Sequence, residues 1–323
     1  MKAAVVQSGR GLAIAEVPVP EPNRDQLLVR VHAAGLNRAD LGVAAGHAHG
    51  AMGGTGTIPG LEFAGEVVRV GEAAAGFAPG DRVMGATPAT YAEYTVCDHG
   101  YATLMPEGMD FAEAATLPVA LRTMHDAIVT NGAFRAGQSV MIQGASSGVG
   151  LMGLQIAKHL GAVPVIGTST NPDRRARLCE FGADHALATT NPAWPDVVLK
   201  ETGGRGVDLI VDQVSGAMTN ATMRACAVRG RIVNVGRLGG ARAEFDFDLH
   251  ALRRITYVGV TFRTRSVEEI REIVRVMRAD LWDAVAAGTL RLPIDRTFPL
   301  AEVNAALDHM RANAHLGKIV LLT

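Results

Sequence analysis

The sequence is poor in cysteine, in aromatic side chains and in net charge, and each shortage removes a class of protein. Three cysteines, Cys97, Cys179 and Cys226, lie far apart among 323 residues. An odd, scattered set offers no disulfide framework and no Cys-x-x-Cys metal knuckle, and a reducing cytoplasm is the expected setting. Lys and Arg number 31 against 32 Asp and Glu, a formal net charge of −1. That balance gives no reason to expect nucleic acid or an anionic membrane as a partner. No apolar run approaches the ~18 residues of a membrane-spanning helix. The start, Met1-Lys2-Ala3-Ala4-Val5-Val6-Gln7, turns polar too soon to read as a signal peptide. Repeats and low-complexity tracts are absent. What the chain does have is glycine, 37 residues of it, and length enough for two domains.

The glycines matter most at Val140–Gly150. Val140-Met141-Ile142-Gln143 has strand character, Gly144-Ala145-Ser146-Ser147-Gly148-Val149-Gly150 is a tight turn of small residues, and Leu151–Leu160 carries apolar side chains at helical spacing. Strand, turn and helix in that order open a βαβ unit with a phosphate loop. Small residues let the backbone approach a pyrophosphate, and the N–H groups of the first helical turn face its charge. A literal Gly-x-Gly-x-x-Gly begins at Gly148 and ends at Gly153, but it starts inside the helix. The register that follows the strand is Ala145-x-Ser147-x-x-Gly150 after Gly144, with small residues in two of the three glycine places.

Around this unit the chain changes texture. Residues 1–118 read as short strands separated by Gly and Pro turns: Lys2–Val6, Leu12–Val17, Gln26–Ala34, Glu62–Val70 and the stretches from Ala78 to Val83 and Val96 to Met105. Such a pattern suits a small barrel-like module. Helices are expected from Asp110 or Phe111 to Leu117 and from Leu121 to Asn131. Residues 119–258 then alternate strands at Val163–Gly167, Val207–Val211 and Arg231–Val235 with helices at Pro172–Phe181 and Met218–Ala227, the signature of a parallel sheet covered by helices. A strand is expected at Thr256–Phe262. In residues 259–323, helices at Val267–Ala287 and Leu300–Asn313 precede a strand at Lys318–Leu322, which implies that the chain returns to its first domain.

The second strand of the βαβ unit bears on cofactor choice. An NAD site places an acid after that strand for the ribose 2′-OH. Here the place holds Thr168-Ser169-Thr170-Asn171, followed by Asp173 and then Arg174, Arg175 and Arg177. Hydroxyls and guanidinium forks suit a 2′-phosphate, so NADPH is expected rather than NADH. The pair His47 and His49 lacks the further ligands a zinc site needs, and no metal is expected. His125 reads as a core residue, and Tyr91, Tyr94 and Tyr101 as packing residues in strands. The turn is also similar to that of short-chain dehydrogenases, but those carry it at the chain start with a Tyr-x-x-x-Lys pair, which is missing here.

Several further blocks carry a resemblance over essentially the whole length: Ala34-Gly35-Leu36-Asn37-Arg38-Ala39-Asp40, Ile58-Pro59-Gly60-Leu61-Glu62-Phe63-Ala64-Gly65, Gly80-Asp81-Arg82-Val83, the 140–150 turn, Gly206-Val207-Asp208, Gly230-Arg231-Ile232-Val233 and Gly317-Lys318-Ile319-Val320-Leu321. Together they resemble the medium-chain dehydrogenase/reductase superfamily, in its zinc-independent quinone oxidoreductase branch. The resemblance implies an α/β protein: a GroES-like β-rich catalytic domain built from both chain ends, with a Rossmann domain, a doubly wound parallel sheet, inserted between. In the zinc-dependent alcohol dehydrogenases of that superfamily a cysteine stands in the place of Asn37 and a histidine in that of Leu61, and a structural zinc lobe lies where Gly85–Tyr101 has none. Without such ligands there is no Lewis acid to polarise an alcohol or carbonyl. The implied reaction is hydride transfer from NADPH to a quinone or to the β-carbon of an activated alkene.

By the same resemblance Asn37 and Thr123 lie beside the nicotinamide. Val235, Gly236 and Arg237 border the ring, and Phe262 and the segment from His315 to Lys318 close the cleft. Thr189 stands where some relatives have a tyrosine on the 2′-phosphate side. Asn37 and Asp40 are expected to orient substrate or water, with solvent protonating the product. Gly42–Thr57 is expected to shape the pocket, and Arg38, Arg122 or Arg263 to anchor a carboxylate or thioester if the acceptor is an alkene. A homodimer pairing a long apolar edge near Tyr257–Phe262 is expected. The rival reading is a protein that binds NADPH without turnover.

Overall fold

The computed structural model describes residues 1–8, 11–50 and 52–323. Its contacts divide the chain into two compact units, Met1–Val119 with Phe262–Thr323, and Ala120–Thr261. The first segment is β-rich. β1 (Lys2–Val6) and β2 (Leu12–Glu16) form an antiparallel pair. β3 (Gln26–Gly35) buries Leu27, Val29 and Val31 while Arg30 stays exposed, the alternation its sequence carries. α1 (Arg38–Ala44) follows, then β4 (Phe63–Val70), β5 (Arg82–Gly85), β6 (Tyr94–Asp98), β7 (Ala102–Leu104) and the single turn α2 (Phe111–Ala114).

The second unit holds most of α3 (Pro118–His125) and a π-turn over Asp126–Thr130. Then strands and helices alternate: β8 (Val140–Gln143), α4 (Gly148–His159), β9 (Val165–Thr168), α5 (Pro172–Ala176), β10 (His185–Leu187), α6 (Trp194–Glu201), β11 (Val207–Asp212), α7 (Thr219–Ala225), β12 (Cys226–Asn234), α8 (Phe247–Arg253) and β13 (Thr256–Gly259). The strands form one parallel sheet in the order β10-β9-β8-β11-β12-β13. This is a doubly wound sheet whose order reverses between β8 and β11, where such sheets bind their ligands. Met141, Ile166, Ile210 and Ile232 form its buried centre, covered by Trp194, Val198 and Met223. Each such fully buried side chain contributes about 1.5–3 kcal/mol.

The chain then returns through α9 (Val267–Ala286), β14 (Ile294–Pro299), α10 (Val303–Arg311) and β15 (Lys318–Leu322). β15 pairs antiparallel with β3, Val320 opposite Gly35, on the side of β3 away from β4; β6 takes the other half of that side. The sheet in the first unit therefore joins strands from both parts of the chain.

Three boundaries differ from the sequence reading. The helix expected at Leu151 begins at Gly148, because its first residues are glycines with no apolar periodicity to show. The helix expected over Pro172–Phe181 breaks after Ala176 into a 3-10 turn, Leu178–Phe181. The strand expected at Thr256–Phe262 stops at Gly259, so the edge is four residues long and not the long apolar edge anticipated. α1, β10, α6, α8 and β14 have no counterpart in the sequence reading. Within the Gly42–Thr57 loop, Ala51 lies outside the described residues. No helix among the described residues is long and apolar enough to cross a membrane.

Candidate active site

In the first unit β3 ends at Gly35 and α1 begins after Asn37, so Asn37 is a helix N-cap. Its side chain is not spent on the cap. Nδ2 donates to Glu62 Oε1 at 2.8 Å, and Oδ1 accepts from the Lys318 ammonium at 3.1 Å. A carboxylate on one side and an ammonium on the other admit only this orientation of the amide. Lys318, the first residue of β15, also donates to Leu36 O at 2.8 Å and to the Glu62 carboxylate. Glu62 Oε2 accepts the Val119 N–H at 2.8 Å. Glu62 is fully buried and Lys318 nearly so. Gly35 makes room for this cluster, since a Cβ there would lie 2.4 Å from Ala115 O and 2.7 Å from Glu62 Oε1.

Asp40 holds the cluster from below. Its Oδ2 accepts the Asn37 backbone N–H at 2.7 Å, fixing the start of α1, and the Tyr91 hydroxyl at 2.7 Å. At 0 % exposure it meets neither substrate nor water, so it is a positioning residue for Asn37 rather than a group that orients substrate. Oδ1 is buried without a hydrogen-bond partner. Burial pushes the carboxyl up from 3.8 to about 6, against the pull of the Tyr91 and Asn37 hydrogen bonds and of Lys318. The native carboxyl thus keeps its proton where the unfolded one has lost it, and stability falls as pH rises from about 4 through about 6. A displacement of this size is worth ~3 kcal/mol at neutral pH. Asp40→Asn can keep both acceptor contacts through its carbonyl oxygen. Its unfolding free energy, relative to the parent chain, is expected to rise by ~2 kcal/mol between about pH 4.5 and pH 7.5. Urea unfolding at the two pH values measures this, and parallel curves would contradict it.

The donor set does not suit zinc, which takes thiolate, imidazole and carboxylate ligands. Asn37 offers an amide, Leu61 a hydrocarbon, and the Lys318 ammonium lies against Asn37 and Glu62. Among the described residues no three His, Cys, Asp or Glu side chains converge.

In the second unit the turn after β8 leads directly into α4. Ser147 caps α4, its Oγ accepting the Gly150 N–H at 3.0 Å. The N–H groups of Gly148 and Val149 open the first turn of α4, where no intrahelical acceptor exists. Gly150 is required by close approach: a Cβ there would lie 2.7 Å from Ala145 Cα, Ala145 O and Gly144 O. The turn is anchored to β9, with the Gly144 N–H on Thr168 Oγ1 at 3.1 Å and the Ala145 N–H on Thr168 O at 2.8 Å. Ser146 pairs with the Ser169 hydroxyl at 3.0 Å. Gly144–Gly148 also spells Gly-x-Ser-x-Gly, but a serine paired with a serine lacks the base a nucleophile needs.

Beyond β9, Asn171 caps α5 through the Arg174 N–H, and Arg175 Nη1 donates to the Ser169 backbone carbonyl at 3.1 Å. Arg177 is turned to Glu180 in a bidentate pair. Thr189 stands two residues past β10. At the end of β12 the N–H groups of Val235 and Gly236 both donate to Asp212 O, at 2.8 and 3.2 Å, and Arg237 is exposed. Thr123 lies buried on α3. Phe262, in the first unit, sits under the Arg265 guanidinium at 5.6 Å. The structure thus gathers Asn37, Asp40 and Lys318 into one cluster and the 144–150 turn, Thr168, Ser169 and Arg175 into another. Lys318, expected beside the cofactor, commits its ammonium to Glu62, Asn37 and Leu36. Glu62 and Tyr91 complete the first cluster, and only the Asn-x-x-Asp spacing at 37 and 40 marks it in the sequence.

Residues 23–125 match the alcohol dehydrogenase GroES-like domain and residues 148–279 match the zinc-binding dehydrogenase family. The chain is 31% identical to a probable oxidoreductase from Mycobacterium abscessus, with a TM-score of 0.86 over 100% of this chain and 99% of that one. It is 26% identical to a mycobacterial quinone oxidoreductase, TM-score 0.88 over 100% of both chains. It is 25% identical to the CurK enoyl reductase, TM-score 0.87 over 99% of each. It is 32% identical over 321 residues to erythronolide synthase EryA2 of Saccharopolyspora erythraea, covering 96% of this chain and 8% of that protein. The chain spans from 8% to 14% of the length of the curated relatives it matches.

Proposed function

This chain belongs to the medium-chain dehydrogenase/reductase superfamily, in its quinone oxidoreductase branch, and we propose that it is an NADPH-dependent reductase of quinones or activated C=C bonds that works without zinc. The observation that supports this reading is the Asn37–Glu62–Lys318 cluster, in which the Asn37 amide is held between a buried carboxylate and a buried ammonium. Bound NADPH would supply hydride. The turn Gly144–Gly150 fits its pyrophosphate through the free end of α4 and the glycine that α4 requires at 150. Thr168, Ser169, Arg174 and Arg175 would hold the 2′-phosphate, where a guanidinium and hydroxyls stand in place of the acid that selects NADH. Val235–Arg237, at the carboxyl ends of the strands, would border the ring.

Asn37 would act on the acceptor. With Nδ2 donating to Glu62 Oε1 at 2.8 Å and to Gly35 O at 3.4 Å, and Oδ1 accepting from Lys318, the amide keeps one lone pair, which would accept from a hydroxyl or water beside the acceptor. The nearby ammonium polarises that amide. Asp40 is too deep to deliver a proton, so the product takes its proton from solvent, which suits a quinone and is sufficient for an enolate.

Stopped-flow oxidation of NADPH with a quinone, an enone and an acrylate-type acid, run in parallel and repeated with NADH, tests the reading. Turnover with at least one acceptor is expected, with kcat/KM for NADPH above that for NADH by about tenfold or more. NADPH binding with no turnover would favour the binding-only alternative. Preference for NADH would remove the 2′-phosphate site, and activity dependent on bound zinc would remove the metal-free step.

A further inference from the structure

We infer that Gln213 is a positioning residue for the dinucleotide loop: its side-chain amide, reaching across from the end of β11, sets the shape of the turn that receives the cofactor. The inference rests on the reading of the second unit as the NADPH-binding unit.

β8 and β11 are parallel neighbours that end level, Gln143 opposite Asp212. One residue further, the chain leaves both strands, through Gly144 on one and Gln213 on the other. Gln213 is buried, at 6 % exposure, and spends its whole amide on the loop. Nε2 donates to Gln143 O at 3.1 Å and to Gly144 O at 3.3 Å, while Oε1 faces the Ser147 hydroxyl at 3.2 Å. Two carbonyls on one side and a hydroxyl on the other leave only one way to place the amide, since the flipped form would set its oxygen against both carbonyls.

The consequence is a turn held from both flanks. The peptide planes 143–144 and 144–145 present their carbonyls to Gln213 and their N–H groups to Thr168 on β9. Fixing two successive planes fixes the exit direction of the chain toward Ser146–Val149, where the N–H groups of Gly148 and Val149 would meet the pyrophosphate. Gln213 also steadies the cap of α4, because the Ser147 hydroxyl, with one hydrogen shared between Gln213 Oε1 and Gly144 O at 3.1 Å, accepts the Gly150 N–H. The usual fingerprint uses glycine where this loop has Ala145 and Ser147. Here a side chain from the neighbouring strand supplies part of the shape.

Gln213→Met keeps length and volume and removes the amide. Fluorescence titration is expected to show Kd for NADPH raised about tenfold, which is ~1.4 kcal/mol. The same factor is expected for NADH and for NADP⁺, because the pyrophosphate is common to all three. With NADPH saturating, kcat changes by less than about twofold, so the loss falls on cofactor KM. Adding Ser147→Ala to Gln213→Met costs less than the two single losses combined, since both act on one hydrogen-bonded unit. A purely structural role would lower the melting temperature and leave Kd alone. Should the Met variant lack a cooperative thermal transition, Gln213→Asn, which keeps an amide but withdraws it from Ser147, reads the same Kd. Wild-type binding of NADPH with an unchanged Kd in these variants overturns the inference by itself. Failure of the wild type to bind any nicotinamide dinucleotide overturns the cofactor reading, and the inference with it.

Discussion

Gly150→Ala is expected to weaken NADPH binding by roughly a hundredfold, while Gly153→Ala leaves it within about threefold. The two glycines sit three residues apart on α4, and either could close a Gly-x-Gly-x-x-Gly pattern read from the sequence. They differ in what an added methyl would meet. At Gly150 it meets backbone, with Ala145 Cα, Ala145 O and Gly144 O all at 2.7 Å. Backbone in a turn pinned by Thr168 and Gln213 cannot yield cheaply, so either α4 or the turn must move. Overpacking of this kind costs typically 1–3 kcal/mol, and here the displaced atoms are those that shape the phosphate site. A hundredfold is ~2.7 kcal/mol. At Gly153 the nearest atom is Met124 Sδ at 2.9 Å, the tip of a flexible side chain that can swing aside. Titration of both variants with NADPH, alongside thermal melts showing that each is folded, decides between the registers. Equal affinities would refute the assignment of Gly150.

Lys318→Met should be the most destabilising of the conservative-sized changes in the first unit. It removes the cation and leaves the wholly buried Glu62 carboxyl with only the Asn37 amide and the Val119 N–H for company. Stranding one member of a buried ion pair typically costs 3–5 kcal/mol. The cost lies in the orphaned carboxylate and not in lost packing. The double variant Glu62→Gln with Lys318→Met should therefore regain at least about half of it. Urea unfolding of the single and double variants reads both quantities. A single variant within ~1 kcal/mol of the parent chain would show that the pair is dispensable. Turnover should not return in the double variant, because the Asn37 amide has then lost the charges that fix its orientation.

How much of this the sequence reveals depends on how far apart the participants are. The 140–150 turn is legible as a strand-to-helix turn because strand, turn, cap and helix are contiguous, and Ser147 caps α4 three residues before Gly150. The parallel sheet was readable from alternation alone. α6 escaped because it is short and opens with Trp194-Pro195, and β10 because three half-buried residues carry no period. α1 escaped although Asn37-x-x-Asp40 has the spacing of a cap, since the helix that follows is only seven residues long. Gln213 could not be found from its neighbours in the chain, because its meaning comes from the register of β11 against β8. The protein partners of Lys318 are equally hidden. Its partner Glu62 is 256 positions away, and only the pairing of β15 with β3 brings the two together.

That pairing has a consequence for how the protein is made. The Asn37 amide leaves the ribosome 281 residues before the lysine that completes its setting. At roughly 5–20 residues per second this is an interval on the order of 15–60 seconds. Throughout it the Glu62 carboxylate has no ammonium to neutralise it and cannot be sealed from water at a tolerable cost. The inserted parallel sheet, whose strands are all local to one stretch of chain, is free to close during the same interval. Synthesis therefore completes the inserted sheet before the two-part sheet of the first unit, and a nascent chain stalled short of β15 would carry a formed 144–150 turn and an unfinished first unit.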